Sequence, residues 1–277
     1  VLDTGWEATL ALSFVRAGAR TALHERRHTG PLRVQRPFYP EGAGVCHVYV
    51  LHPPGGLVGG DRLRIDVLAE AGAHALLTTP AAGKLYRSQG GCASQQQILR
   101  VANGARLEWL PQETIAFDGA RAELTTRVEL SGDAGFIGWE ILCLGRPAAQ
   151  ERFLRGELRQ SIEIVRGERL LYLERGAYAG GSAVLRAPWG LGDQPVVGTL
   201  VCAVAGASAC VDAAREIAAQ PLWTPGLAAV SGWGELLVAR YVGPSAEQAR
   251  ELFTAVWRVL RPALLNCEVS LPRIWRT

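Results

Sequence analysis

The sequence predicts a mainly β fold, built as a β-helix-like stack of short strands with a few helices, chiefly in the C-terminal third. Three observations predict it. Short runs alternate apolar and polar residues at period two, glycine-rich breakers separate them, and a Gly-Ala turn recurs before apolar-rich segments. Leu63-Arg64-Ile65-Asp66-Val67 alternates, as do residues 124–130 and, more loosely, Ile162-Glu163-Ile164. Each such run offers one face to a core and one to water. The breakers fall at residues 53–60, Gly83, Gly90-Gly91, Asn103-Gly104, Asp118-Gly119 and Ser131-Gly132.

The Gly-Ala turn opens Gly72-Ala73-His74, Gly104-Ala105-Arg106 and Gly119-Ala120-Arg121, with Asp133-Ala134-Gly135 as a degenerate fourth copy. Recurring strand-turn units of this kind suggest stacked coils, as in a β-solenoid. The competing reading is that Gly-Ala is simply common in a chain rich in both residues. Helices follow near the C-terminus. Ser245-Ala246-Glu247-Gln248 fits a capping box, and Ala249, Leu252, Phe253, Val256 and Leu260 recur at helical spacing until Pro262. A shorter helix is expected over about residues 207–220, stopped by Pro221. No linker or low-complexity segment interrupts the 277 residues, so one domain over 1–277 is expected.

Composition narrows the function classes. A hydrophobic fraction of 48% with 20% charged residues is globular. The net charge of +3 comes almost wholly from arginines, Lys84 being the only lysine. They are scattered and interleaved with acids, whereas a nucleic-acid binder concentrates them on one stripe. No nucleic-acid partner is expected. Six cysteines, at 46, 92, 143, 202, 210 and 267, form no Cys-x-x-Cys pair. Reduced, mostly buried thiols in the cytoplasm are the expectation. The sequence begins at Val1 and holds no Met, so a native start upstream is expected. The longest uncharged stretch, residues 194–211, is short for a membrane span and reads as a buried strand (196–204) followed by a turn. No membrane association is expected.

Catalytic signatures fail one by one. Gly83-Lys84 lacks the following Ser or Thr of a P-loop, and Thr78 stands at the leading glycine position. Gly206-Ala207-Ser208-Ala209-Cys210 lacks the last glycine of a nucleophile elbow. Neither a dinucleotide fingerprint nor His-Glu-x-x-His occurs, which favours a non-enzyme.

Histidines and acids are the remaining candidates. Cys46, His47 and His52 flank a strand end, and their donor types suit nickel, copper or zinc as weak ligands. The alternative is that the histidines make local hydrogen bonds. Asp61 closes a glycine-rich loop, Glu113 follows Pro111-Gln112, and Glu140 and Glu174 follow or interrupt apolar runs. An acid in such a strand is costly to bury unpaired, so it should meet an Arg or line a wet cavity.

Several segments carry a family likeness. They include His52-Pro53-Pro54-Gly55-Gly56-Leu57-Val58-Gly59-Gly60-Asp61, residues 30–42, Leu77-Thr78-Thr79-Pro80 leading to Lys84-Leu85-Tyr86-Arg87-Ser88, and residues 108–115 with Phe117-Asp118-Gly119. Gly138-Trp139-Glu140 and Cys143-Leu144-Gly145-Arg146-Pro147 continue it. The chain thereby resembles the UreD family of urease accessory proteins, from Gly5-Trp6 to Arg273-Ile274-Trp275, most specifically up to about Arg175. One departure is Gln150, in an expected turn where relatives often carry Gly. The resemblance implies a β-helix-like fold and a non-catalytic scaffold that joins UreF and the GTPase UreG on apo-urease and assists nickel insertion, assembled as a dimer of heteromers through UreF. It implies no tightly bound cofactor and only transient nickel, carried through an internal tunnel. Asp61, Glu140 and Glu174 match family acids and are expected to line that path. Gly59, Gly60, Lys84, Tyr86, Arg87, Glu113 and Asp118 are the loop residues of the family motifs. Two other readings stand beside this one. One is a β-rich small-molecule-binding or hydrolytic protein with its pocket on the Pro53 to Asp61 loop. The other is a scaffold whose acids serve only in salt bridges.

Overall fold

The computed structural model describes residues 5–276; residues 1–4 and 277 of the expected domain lie outside them. In chain order the strands are β1 (Glu7–Ala17), β2 (Arg20–Thr29), β3 (Arg33–Val34), β4 (Cys46–Leu51), β5 (Arg62–Ala69), β6 (His74–Thr78), β7 (Gly83–Leu85), β8 (Ala93–Val101) and β9 (Arg106–Trp109). They continue as β10 (Thr114–Ala116), β11 (Arg121–Leu130), β12 (Gly135–Arg146), β13 (Glu151–Arg152), β14 (Glu157–Arg166), β15 (Arg169–Ala179), β16 (Val196–Ala203), β17 (Leu227–Trp233) and β18 (Leu236–Gly243). The helices are α1 (Ala183–Arg186), α2 (Val211–Ala218) and α3 (Ala246–Leu265).

Two sheets result. The first runs β15-β14-β11-β8-β5-β1-β2, and the second β17-β18-β16-β12-β9-β6-β4-β3. From β4 to β14 the chain alternates between them, so that β5, β8, β11 and β14 stack in parallel in one sheet and β4, β6, β9 and β12 in the other. This is the solenoid-like stack that the strand-turn pattern predicts. Like residues align across the coils, as in the ladder Val67–Leu99–Val128–Ile164.

The two sheets differ in the way their sequences require. Strands β5 and β11 alternate buried and exposed, because only their inner face meets a core. Strand β12 is buried almost throughout, because its inner face meets the first sheet and its outer face meets α3. One apolar core therefore lies between the sheets and a second between the second sheet and the helices.

The Gly-Ala repeat marks real stacked turns, with one reassignment. Ala73, Ala105 and Ala134 are fully buried in one row where the chain passes from the first sheet to the second. The Arg106 N–H donates to the Ala73 carbonyl at 2.8 Å and the Gly135 N–H to that of Ala105 at 3.0 Å. Gly119-Ala120 belongs to the opposite row, before β11, where the Glu157 N–H donates to Ala120 at 2.9 Å.

In α3 the Ser245 hydroxyl caps the Gln248 N–H at 3.3 Å. The reciprocal half of the capping box does not form: the Gln248 side chain accepts from Tyr241 at 2.9 Å and donates to the Leu222 carbonyl. The helix also runs through Pro262 to Leu265 instead of stopping before it. A proline removes one helical N–H, but Leu260, Arg261 and Leu265 are buried on the sheet and hold the last turn in place. Asn266, at φ 52°, ends it. The shorter expected helix appears as a 3-10 turn (Ala207–Cys210) running into α2, and the uncharged stretch before it as β16. Among the described residues no helix is long and apolar enough to cross a membrane.

Gln150 follows a 3-10 turn (Pro147–Ala149) and takes φ 56°, the left-handed conformation that suits glycine. Gln150→Gly is expected to stabilise the fold by about 0.5–1 kcal/mol, read as a higher urea midpoint at unchanged slope. An unchanged or lower midpoint would refute the assignment of strain to this turn.

Candidate functional site

Strand alternation, which fills most inward positions with Leu, Ile and Val, places Gln95 and Gln97 of β8, Thr126 of β11 and Gln160 of β14 on the inner face of the first sheet. Glu140 of β12 faces them from the second sheet. Its carboxylate accepts from the Thr126 hydroxyl and from Gln160 Nε2 at 2.5 Å. A cavity of about 150 Å³ opens beside it, lined among others by His52, Gln95, Gln97, Trp109, Glu140 and Gln160. His52 Nε2, Gln97 Oε1 and Trp109 Nε1 are buried with no hydrogen-bond partner among the described residues. Unpaired polar atoms are rare in protein cores and call for an account. Burial pushes the Glu140 carboxyl above its usual range, and the Glu174 charge adds to this. Burial pulls His52 down, against the charge of Asp61, which leaves its imidazole neutral near pH 7.

The polar stripe continues past Glu140. A void of about 10 Å³, the size of one water, touches Thr126, Glu140 and Thr199. The Thr199 hydroxyl donates to Glu174 Oε1 at 2.8 Å. Glu174 also accepts from Tyr172 at 2.5 Å and from Arg240 Nη2 at 2.8 Å. The two outcomes expected for acids in apolar strands are thus divided: Glu174 meets an arginine, and Glu140 lines a cavity.

Asp61 does structural work in the loop before β5. It is 1% exposed and accepts from the backbone N–H of Val58 at 2.9 Å and of Trp6 at 3.3 Å. Gly60 takes φ 95°, and any Cβ on Gly59 would stand 2.7 Å from the Gly91 carbonyl. The Lys84 carbonyl accepts from Leu57 at 2.8 Å, and Tyr86 packs edge-on against Phe117 at 5.0 Å. Arg87 Nη2 stands 3.9 Å from Asp118 Oδ2. Asp118 accepts from the N–H groups of Leu154 at 2.9 Å and Arg155 at 2.8 Å, and its Oδ2 from Arg155 Nη2 at 2.6 Å. Although burial opposes it, the Arg155 bonds hold its carboxyl below the usual range. Glu113 reaches Arg250 of α3 at 3.4 Å. These motif residues build the stacked turns and tie them to the helix layer.

Cys46, His47 and His52 do not converge. Cys46 and His47 are adjacent on β4 and face opposite sides, Cys46 into the inner core and His47 toward Glu41, with Nε2 to Oε1 at 2.5 Å. His52 shares the Cys46 side but lies about 20 Å along the extended chain. Among the described residues no three His, Cys, Asp or Glu side chains group to hold a metal ion.

Sequence reasoning missed the inward glutamines, whose signal was polar residues at the buried parity of β8 and β14. It also missed a buried network on the outer face of the second sheet. Glu108, fully buried on β9, accepts from His74 Nε2 at 2.8 Å, Trp257 Nε1 at 2.6 Å and Arg261 Nε at 3.1 Å. Arg261, itself fully buried, also reaches Glu41 at 2.7 Å and the Glu268 carbonyl. His74 Nδ1 faces Cys267 Sγ at 3.8 Å. Burial alone would lower His74, but its bonds with Cys267 and Glu108 raise it to about 9. Burial likewise opposes ionisation of Glu108, yet His74 and Arg261 hold it below the usual range.

The chain matches the family of UreD urease accessory proteins over residues 7–276. The urease accessory protein UreD of Azoarcus sp. (strain BH72) is 52% identical over 274 residues, covering 99% of this chain and 95% of that relative. The protein of the same name from Dechloromonas aromatica (strain RCB) is 49% identical, covering 98% and 95%. Urease accessory protein UreD 2 of Brucella anthropi is 44% identical over the full length of both chains.

Two pH-dependent outcomes follow from these charges. Asp118→Ala leaves the Leu154 and Arg155 N–H groups without their acceptor and should cost about 1–3 kcal/mol at neutral pH. Because the folded Asp118 carboxyl titrates below its unfolded value, that difference should shrink as pH falls below about 4. His74 behaves oppositely. Its folded value of about 9 lies above the unfolded 6.5, so its contribution is complete below about pH 6.5 and is lost as pH rises through 9. Denaturant titrations of wild type and His74→Gln should therefore converge at alkaline pH, and a constant gap would refute a charged His74.

Proposed function

Because the chain belongs to the UreD family of urease accessory proteins, we propose that it acts in urease maturation as a non-catalytic scaffold that also passes nickel between its two sheets. One observation supports the nickel role above others. A cavity between the sheets carries a neutral His52, unpartnered polar atoms and the Glu140 carboxyl in what is otherwise an apolar core. A neutral imidazole, amide oxygens and carboxylates are ligands that nickel accepts. They are spread along the stack, so each holds the ion weakly and can release it to the next. In this reading Glu140 and then Glu174 contact the ion. Asp61 contributes through the loop whose charge acts on His52, and Cys46 and His47 face away from one another.

The partners in this proposal are UreF, the GTPase UreG and apo-urease, joined as a dimer of heteromers through UreF in the cytoplasm. Nickel is cargo, and no tightly held cofactor is needed. A second reading has one observation in its favour: Gly55 and Leu57 line the same cavity, which a small-molecule-binding protein would use as a pocket. That reading expects a stable monomer that recruits none of the three partners.

Co-expression with UreF, UreG and apo-urease, followed by pull-down and a urease assay, separates these readings. Glu140→Gln and Glu174→Gln keep side-chain size. Both are expected to leave the complex intact while urease activation falls about tenfold or more, the scale seen when groups that tune metal ligation are removed. Unchanged activation in the double variant would remove the conduit and leave the scaffold. Failure of the wild-type chain to co-purify would remove the scaffold as well.

A further inference from the structure

A cleft of about 450 Å³ opens on the turn row before the second sheet, lined in part by Arg16, Arg106, His74 and Cys267. The other cysteines differ from Cys267 in setting. Cys46, Cys143, Cys202 and Cys210 are buried, and burial pushes each thiol up. Cys92 is exposed, but partial burial and the Glu123 charge push its thiol up too. Cys267 alone stands against a histidine, with Sγ 3.8 Å from His74 Nδ1. On the far side of that ring, Nε2 donates to the ionised Glu108 at 2.8 Å. A thiol, a protonated imidazole and a carboxylate that orients the ring are thus brought together.

Charge around the cleft selects what can enter. Arg16 is bound to the carbonyls of Gly18 and Gly44, and Arg106 to those of Ala105 and Asp133, with only a long contact to the Asp133 carboxylate. Asp133, 3.9 Å from Arg106, is mostly exposed. The His74 charge is offset by Glu108 behind it, so Arg16 and Arg106 are what give the cleft a basic rim that favours an anion.

We propose that Cys267 is a thiol-modification site, where the Cys267–His74–Glu108 line promotes attack on an anionic disulfide of the glutathione class. The Cys267 sulfur attacks one sulfur of the disulfide. A protein–glutathione S–S bond forms, the reagent's S–S bond breaks, and the second glutathione departs as a thiolate. His74 gives its Nδ1 proton to that leaving thiolate and takes up in its place the proton that Cys267 loses, so one disulfide is exchanged for another without net oxidation. His74 Nδ1, 3.8 Å from the sulfur, stands where the proton must move during the exchange. The adduct would fall next to Glu268, whose carbonyl Arg261 holds, and so would bear on how the C-terminal segment lies against the second sheet.

The test treats the full-length folded chain with glutathione disulfide at neutral pH and follows adducts by intact mass and peptide mapping. Cys267 is expected to react at least about tenfold faster than Cys92, and Cys267→Ser should abolish the fast adduct. In His74→Gln, checked for folding by circular dichroism, the Cys267 rate should fall toward that of Cys92. In the wild-type chain the cationic disulfide cystamine should lose most of the advantage, because the cleft is basic. Preferential reaction at Cys92, or equal rates with the anionic and cationic disulfides, would overturn the proposal without requiring any variant.

Discussion

The helix layer rests on one ionised carboxylate. Glu108 is fully buried on the outer face of the second sheet and accepts hydrogen bonds from β6, through His74, and from α3, through Trp257 and Arg261. A lone carboxylate at such a site would be very costly. Here it is balanced by a charged His74 and by Arg261, whose remaining nitrogens reach Glu41 and the Glu268 carbonyl. Removing one partner of such a group strands the other charges in the core. The apolar faces of α3 and β12 supply the area buried, and the network around Glu108 sets where along the sheet the helix sits.

The inner space between the sheets obeys a different constraint. A parallel stack places the same inward parity of every coil on one face, so a stripe of Leu, Ile and Val fills it by default. Gln95, Gln97, Thr126, Gln160 and Glu140 break that stripe, and all but Thr126 put polar groups into an otherwise mostly apolar cavity. Stability alone would not favour these residues; Gln97 pairs with Thr126 across the coils, and Glu140 bridges Thr126 to Gln160, which joins departures on four strands into one feature.

Many residues that make the family recognisable serve the turns. Gly59 permits close coil packing, Gly60 takes a left-handed turn, and Asp61 and Asp118 accept backbone N–H groups that the turns leave without a partner. These are demands of stacking and would hold whatever the cavity carried. Strong motifs therefore spoke first of architecture, while Glu140 lines the cavity between the sheets and Glu174 pairs with Arg240 nearer the surface.

The sequence by itself determined the strand class, the position of the breakers and both C-terminal helices, because alternation, turn chemistry and capping are local, whereas it left the Gly-Ala repeat open and misplaced its Gly119-Ala120 copy. It also marked Glu140 and Glu174 as costly, since a carboxylate in an apolar strand is legible without coordinates. Tertiary structure decided what local pattern cannot encode. It settled which acid met Arg240 and which lined a cavity, and it turned Cys46 and His47 to opposite faces. It carried α3 past Pro262 because packing outweighed one missing N–H. It also joined His74, Glu108, Arg261 and Cys267, which lie up to 193 positions apart. Partners so distant in sequence meet only when the coils stack and the helix closes over them, and no periodicity along the chain records that meeting.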